Sequence, residues 1–358
     1  MAEQAGVAVS TASAILRGEP TCRATEQTRQ RVFEAARAVN YRPNKLAKGL
    51  RAQSLSVVGV VFRSFEVPPV TIAKFADLEK AAAAHGYRLW FGAHAAEPAR
   101  QREYVLEMVD HRVAGMILAS EWDSADLINE LIQLGVPTVT MENAYPTPTA
   151  SMVNVDRAHG AYLAVKHLWT DVGCRKLAFL MPPIDWGQGL LKLQGCERAL
   201  HEVGSDFGSH LVFDGPLRHK GEREEELAQR MIDWLLDQRR EFDGVVTYSD
   251  LAAFIAAQRL QESGRRIPED VAVTGFDDLP LARYNRPALT TVRQPLEVGH
   301  YAWQLLHEQI QGERPLDAPP KQMWLKPQLI VRGSTVAGAG NRTVAPSATA
   351  PRTEDTAD

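Results

Sequence analysis

The sequence reads as a small all-α helix-turn-helix head joined to a two-lobed α/β body of doubly wound parallel sheets. Three observations lead there. From residue 56 onward, continuous apolar runs alternate with helical patterns. Many of those helical patterns end in glycine, as left-handed helix caps do. Residues 1–43 lack this texture and carry short helical signals and a basic surplus. At 358 residues, 45% of them apolar, the chain is long enough for two or three domains with real cores.

In the head, Gly6 within Ala5-Gly6-Val7 lets the backbone turn sharply, and Val7 fills the wedge behind it. The small hydroxyl-rich run Ser10 to Leu16 follows as a helix that can present polar side chains to a groove. Thr25 is the expected N-cap of a longer helix, Glu26 to Val39. Val32, Ala35, Ala36 and Val39 form its apolar stripe. Residues 44–55 form a short basic linker. Leu46, Ala47 and Leu50 share one side if it coils, and Gly49 weakens it as a standing helix. Such a segment folds best when a partner holds it.

The body is expected over residues 56–335. Strands are expected at Val57–Phe62, Arg88–Phe91, Gly115–Leu118, Thr138–Met141, Lys176–Met181, Gly244–Thr247 and Val271–Phe276. Helices are expected at Ile72–His85, Gln101–Asp110, Ala125–Leu134, Ala158–Val172, Gly189–Val203, Glu222–Arg239 and Leu251–Ser263. Gly86, Gly135, Gly173, Gly204 and Gly264 stand where helices should stop. So many strand-helix units suit two lobes better than one wide sheet. Residues 336–358, rich in Ala, Gly, Thr and Pro, are expected to be a disordered tail.

The net charge of -4 hides an asymmetry. Residues 1–56 hold nine Lys or Arg against four Glu, while the remainder holds 31 basic against 40 acidic residues. A basic head on an acidic body fits a nucleic-acid-contacting module joined to something else. Three scattered cysteines suit a reducing cytoplasm without disulfides. No apolar run reaches the roughly 18 residues a membrane span requires, and no secretory signal is visible.

These pieces resemble the lactose/galactose repressor (LacI/GalR) family of bacterial transcription regulators. The resemblance is carried by Ala5-Gly6-Val7 with Ser10-Thr11-Ala12-Ser13, by Thr28-Arg29, by Tyr41-Arg42-Pro43-Asn44, and by Ala47-Lys48-Gly49-Leu50. It continues through Ile267 to Asp278, Leu289 to Pro295 and Leu329 to Thr335, in the family's order and spacing. It implies a homodimer or tetramer whose paired heads grip a palindromic double-stranded operator. It also implies a body like a periplasmic sugar-binding protein, with a small effector, a sugar or its derivative, between the lobes. Against the family pattern the first helix of the head is shortened, and Lys48-Gly49 replaces the common Arg-Ser.

The resemblance places Val9, Ser10, Thr11 and Ala14 at base-reading positions, where hydroxyls can bond base edges and methyls can touch thymine. Packing is the competing role for Val9 and the favoured one for Ala12. Ser13, Arg17, Arg29, Arg42, Asn44, Lys45 and Lys48 are the expected phosphate contacts, giving salt-dependent affinity rather than sequence choice. Leu50 corresponds to a minor-groove wedge. Effector contacts are expected from Arg63, Ser64, Glu142, Trp186, Gln188, Lys192, Ser249, Asp250 and Asp277, at the carboxyl ends of strands or just beyond them. Carboxylates there suit vicinal hydroxyls. Lys192 stands where an arginine is common and lacks its planar fork. Trp186 can stack on a ring or simply pack.

An enzyme is disfavoured. Gly187-Gln188-Gly189 begins like a dinucleotide loop, but Lys192 occupies the place of its third glycine. P-loop, zincin and nucleophile-elbow motifs are missing, the ten histidines lack metal-ligand spacing, and no cofactor is implied. A solute-binding protein of the same body fold is the alternative, but it gives no use to a DNA-reading head.

Overall fold

A computed structural model describes residues 2–16, 22–39, 56–64, 68–119, 125–143, 149–182, 187–215, 222–336, 342–343 and 352–355. The linker expected at 44–55 therefore lies outside the described residues. The chain divides into two compact units, Met1–Ser56 and Val57–Asp358.

In the first unit, α1 (Val9–Leu16) and α2 (Glu26–Ala38) follow a turn over residues 2–6. That turn stands where the shortened first helix was expected. Gly6 has φ +63°, a left-handed conformation that glycine adopts without a Cβ penalty. Thr25 Oγ1 accepts from the Thr28 N–H at 3.3 Å, so the expected N-cap is formed. Ala5, Ala12, Ile15 and Val32 make the small core, with Val7 packed against it.

The second unit contains two sheets. The first lobe comprises β1 (Val57–Phe62), α3 (Pro69–Ala84), β2 (Arg88–Ala93), α4 (Pro98–Asp110), β3 (Gly115–Ala119), α5 (Ala125–Gln133), β4 (Thr138–Met141) and β5 (Ser151–Val155). The chain crosses over through α6 (Arg157–His167), extended by a π-helical turn at Leu168–Val172. The second lobe continues with β6 (Leu177–Leu180), α7 (Gly187–Glu202), β7 (Leu211–Val212), α8 (Glu224–Asp237), β8 (Gly244–Thr247), α9 (Asp250–Glu262), β9 (Ala272–Asp277), α10 (Pro280–Tyr284) and β10 (Thr290–Arg293). The chain then returns to the first lobe as α11 (Val298–Ile310) and β11 (Lys321–Leu325), and crosses a third time to β12 (Gln328–Val331).

The sheet orders are β11-β5-β4-β3-β1-β2 and β12-β10-β9-β8-β6-β7, the same topology twice. Every pairing within these runs is parallel except β10 with β12. The apolar run of β1 is continuous because both faces of the sheet are covered. Val58, Val60 and Phe62 pack with Phe75, Leu78 and Trp303. Val61 packs on the other side with Met108, Leu118 and Ile128. Burying each such side chain stabilises the fold by about 1.5–3 kcal/mol.

All five glycines expected to end helices have positive φ. Three differences from expectation stand out. The helix expected over Ala158–Val172 leaves the α-form at His167. Strands β5, β7, β10, β11 and β12 and helix α11 carry weaker local signals, since polar residues such as Ser151, Asn154 and Thr290 interrupt the apolar runs. The tail expected to be disordered contributes two short strands: β13 (Arg342–Thr343) pairs antiparallel with β12, and β14 (Arg352–Asp355) with β11. Both add to sheet edges, whose free N–H and C=O groups take any extended partner.

Candidate functional site

In the head, α1 exposes the residues a groove would meet. Val9 is 77% exposed and Ser10 is exposed, whereas Thr11, Ser13 and Ala14 are half-buried. Ala12 is buried and packs. Arg29 departs from a free phosphate contact: it is half-buried and its Nη2 donates to the Cys22 carbonyl at 2.8 Å, tying the chain before α2 to that helix. Arg17, Arg42, Asn44, Lys45, Lys48 and Leu50 lie outside the described residues.

In the body, the strand ends of the two lobes are joined by a buried polar network. Glu142 follows β4 and Lys74 rises from the second turn of α3. The Lys74 ammonium donates to Glu142 Oε2 at 2.9 Å and to Gln294 Oε1 at 2.6 Å. Gln294, in the segment leaving β10, donates through Nε2 to Asp277 Oδ1 at 2.5 Å. One hydrogen-bonded path thus runs from the first lobe to the second. Arg157, at the start of α6, donates its Nη2 to the same Glu142 Oε2. Lys192 of α7 donates to the Tyr248 carbonyl at 2.6 Å and lies 4.0 Å from the ring centroid of Phe276, within cation–π range.

Burial works against the Glu142 charge, yet Arg157 and Lys74 override it and hold the carboxyl at about 2. Burial pulls the Lys74 ammonium below its ordinary value, with Glu142 opposing. Burial pushes Asp277 up to about 6, against the pull of Lys192 and the Gln294 hydrogen bond. Glu142 (φ +60°), Asp277 (φ +117°) and Asp278 (φ +54°) all adopt left-handed backbone, which costs a non-glycine residue about 1–3 kcal/mol.

Several expected effector contacts fall into this cluster, and others do not. Glu142, Lys192 and Asp277 belong to it, and Arg63 and Ser64 stand half-buried at the end of β1. Asp250 is fully buried, and its carboxylate accepts from the Thr291 hydroxyl and from the Leu279 N–H at 2.6 Å. Burial, then the charge of Asp277, pushes its carboxyl well above the usual range. Its carboxylate is thus held by donors from two other segments of the second lobe. Ser249 caps α9 through the Ala252 N–H at 3.2 Å and donates to Glu224 Oε1 at 2.8 Å. Asp278 receives Arg293 at 2.7 Å and Arg332 at 2.5 Å, a structural hub beside the site. Trp186 and the Gln188 side chain lie outside the described residues.

Sequence reasoning missed Lys74, Arg157 and the role of Gln294. Lys74 had a signal, because it interrupts the buried stripe Val70, Phe75, Leu78, Ala82 of α3. Arg157 had none, since it becomes buried only where the lobes join. Among the described residues no cluster could hold a metal ion, and no helix is long and apolar enough to cross a membrane.

A helix-turn-helix unit in one chain with a two-lobed body, whose lobes share a buried polar network, defines the class: a ligand-responsive DNA-binding regulator. Residues 1–44 match the lacI family of bacterial regulatory proteins, and residues 165–335 match the periplasmic binding protein-like domain. The chain thus carries a DNA-binding domain of the lacI family followed by a periplasmic binding protein-like domain. It is 28% identical to the HTH-type transcriptional repressor PurR of Mannheimia succiniciproducens, over 93% of this chain and 97% of that protein. Among solved structures it resembles the transcriptional regulator CelR in complex with cellobiose, with 26% identity, TM-score 0.68, and 93% and 98% of the two chains covered. The fold also matches the lac repressor dimer bound to operator and an anti-inducer, with 22% identity, TM-score 0.80, and 94% and 98% covered. These relatives are transcription regulators, not enzymes.

Proposed function

We propose that this chain is a cytoplasmic, homodimeric repressor, without catalytic activity, that grips a palindromic operator and responds to a sugar or sugar derivative between its lobes. The observation that carries this reading is the combination, in one chain, of an exposed α1 with a cleft floored by Glu142, Lys192 and Asp277. Val9, Ser10, Thr11 and Ala14 read bases. Ser13, Arg17, Arg42, Asn44 and Lys48 position the phosphates, Arg29 acts mainly through the fold of the head, and Leu50 from the 44–55 linker wedges the minor groove. The cellobiose bound by CelR and the ribose bound by a LacI family regulator from Enterococcus faecium support a polyhydroxyl ligand. A ligand that prefers one lobe arrangement shifts operator affinity by its differential affinity for the two states. A solute-binding protein without gene regulation leaves the helix-turn-helix unused.

The test is capture of genomic DNA fragments by the full chain, with and without a sugar panel. A recurring palindromic fragment whose retention changes with one sugar is the expected outcome. No fragment preferred over bulk competitor, under any sugar, sinks the reading. Leu50→Ala should weaken operator binding far more than random-DNA binding, and equal losses in a shift assay would remove the wedge.

A further inference from the structure

Asp278 directly follows the last residue of β9, Asp277. Both take left-handed backbone, with φ +117° at Asp277 and +54° at Asp278. An L-residue stays in that region only where its surroundings hold it there. The Asp278 side chain is 3% exposed, and three arginines from three segments converge on it. Arg332, just beyond β12, donates its Nη2 to Oδ1 at 2.5 Å. Arg293, the last residue of β10, donates its Nε to Oδ2 at 2.7 Å. Arg283 of α10 brings its Nη2 to 4.0 Å from Oδ2.

The anchors are themselves fixed. Arg332 is buried and its Nη1 donates to the Leu289 carbonyl at 2.8 Å. Arg293 is the register partner of Asp277 across β9 and β10, yet its Nε goes to Asp278. The main chain of the turn is pinned as well. The Asp278 N–H donates to Thr291 Oγ1 at 3.3 Å, and the Leu279 N–H to Asp250 Oδ2 at 2.6 Å. With one guanidinium on each oxygen, the Asp278 carboxylate cannot turn without losing a charge-assisted bond. One peptide unit joins Asp278 to Asp277, so fixing the first fixes the direction in which the second leaves the strand. That direction brings Asp277 Oδ1 to Gln294 Nε2 at 2.5 Å.

We infer that Asp278 is a positioning residue for the effector site: clamped by Arg293 and Arg332, it holds the left-handed turn that aims the Asp277 carboxylate at the inter-lobe network. The functional meaning rests on the reading of Asp277 as an effector contact. The clamp itself does not.

The experiment follows the Asp277 carboxyl directly, as its carbon-13 NMR signal in aspartate-labelled full-length protein, assigned by its loss in Asp277→Asn. In the intact protein burial holds its titration up at about 6, with Lys192, Gln294 and Lys74 pulling down and Glu224 pushing up. Two variants are then compared. Asp278→Asn keeps the shape but offers one oxygen to two guanidiniums. Arg293→Met removes one clamp at a side chain that is 42% exposed, where the fold tolerates the change. Acting by charge alone, these variants would move the Asp277 midpoint in opposite directions, because a lost neighbouring anion lowers it and a lost cation raises it. Acting through position, both loosen the turn and let water reach Asp277. Both midpoints are then expected to fall toward the ordinary 3.8, by about one pH unit or more. A midpoint that rises in Arg293→Met, or one that stays put in either folded variant, overturns the inference. Should Asp278→Asn not fold, the sign in Arg293→Met decides alone. These readings need no ligand, so they separate from the effector reading: if both midpoints fall while no sugar alters operator capture, Asp277 loses its effector role and the clamp stands.

Discussion

At the scale of single residues, the cleft holds opposing titrations. Glu142, held at about 2, contributes stability that is present above its ordinary value and lost as pH falls toward 2. Asp277 has the opposite sign. Its proton is held more tightly in the folded protein, so stability is lost as pH rises from the unfolded value of 3.8 through about 6. At about 1.4 kcal/mol per pH unit this is a penalty of up to about 3 kcal/mol at neutrality. Asp277→Asn keeps an acceptor for Gln294 and removes the charge. It should raise unfolding stability at pH 7 by about 1–3 kcal/mol and flatten the profile between pH 4 and 6, as urea unfolding at several pH values would read. Lower stability at pH 7, or an unchanged profile, would show that Asp277 does not titrate this way.

At the scale of elements, two glycines hold neighbouring segments for different reasons. At Gly6 the constraint is conformational: φ is +63°, and an added Cβ would find its nearest neighbour, Arg31 Nη1, 3.9 Å away. Gly6→Ala should cost about 1–2 kcal/mol from backbone strain alone. At Gly195 the constraint is contact: a Cβ there would lie 1.9 Å from the Ala158 carbonyl oxygen, so α6 and α7 touch backbone to backbone. Gly195→Ala must push these helices apart, and since Arg157 and Lys192 sit on them, ligand binding should fall along with stability. The expected cost is about 1–3 kcal/mol or more, read by thermal melting. A neutral Gly195→Ala would mean the two helices can slide freely.

At the scale of the whole molecule, function depends on a charge asymmetry and on a repeated fold. The head's cations should make operator affinity fall steeply with salt, with the logarithm of the binding constant dropping by about 0.9 per phosphate neutralised. Arg42→Gln and Lys48→Gln should each reduce that slope by about one without changing which operator is preferred. A changed sequence preference in either would move that residue from positioning to base reading. The two lobes repeat one strand order and are joined by three crossovers. The hydrogen-bonded path Glu142–Lys74–Gln294–Asp277 spans them.

Much of the architecture was legible in local sequence because its causes are local. The runs of β1, β4 and β8 are apolar throughout since both faces of a parallel sheet are covered, and the glycine stops follow from the left-handed conformation a helix end adopts. The helix-turn-helix was legible from Gly6, Val7 and the small residues of α1. Tertiary structure alone decided the rest. Strand β5 and helix α11 exist because neighbours cover and pair with them, and Asp250 is tied down because Thr291 and Leu279 meet it from elsewhere in the chain. Lys74, Arg157 and Gln294 converge on Glu142 and Asp277 from segments up to 220 residues apart, as in the Lys74–Gln294 bond. A burial cost and the partner that offsets it can lie anywhere along the chain, so no window of neighbouring residues reveals which charges will be taken out of water together.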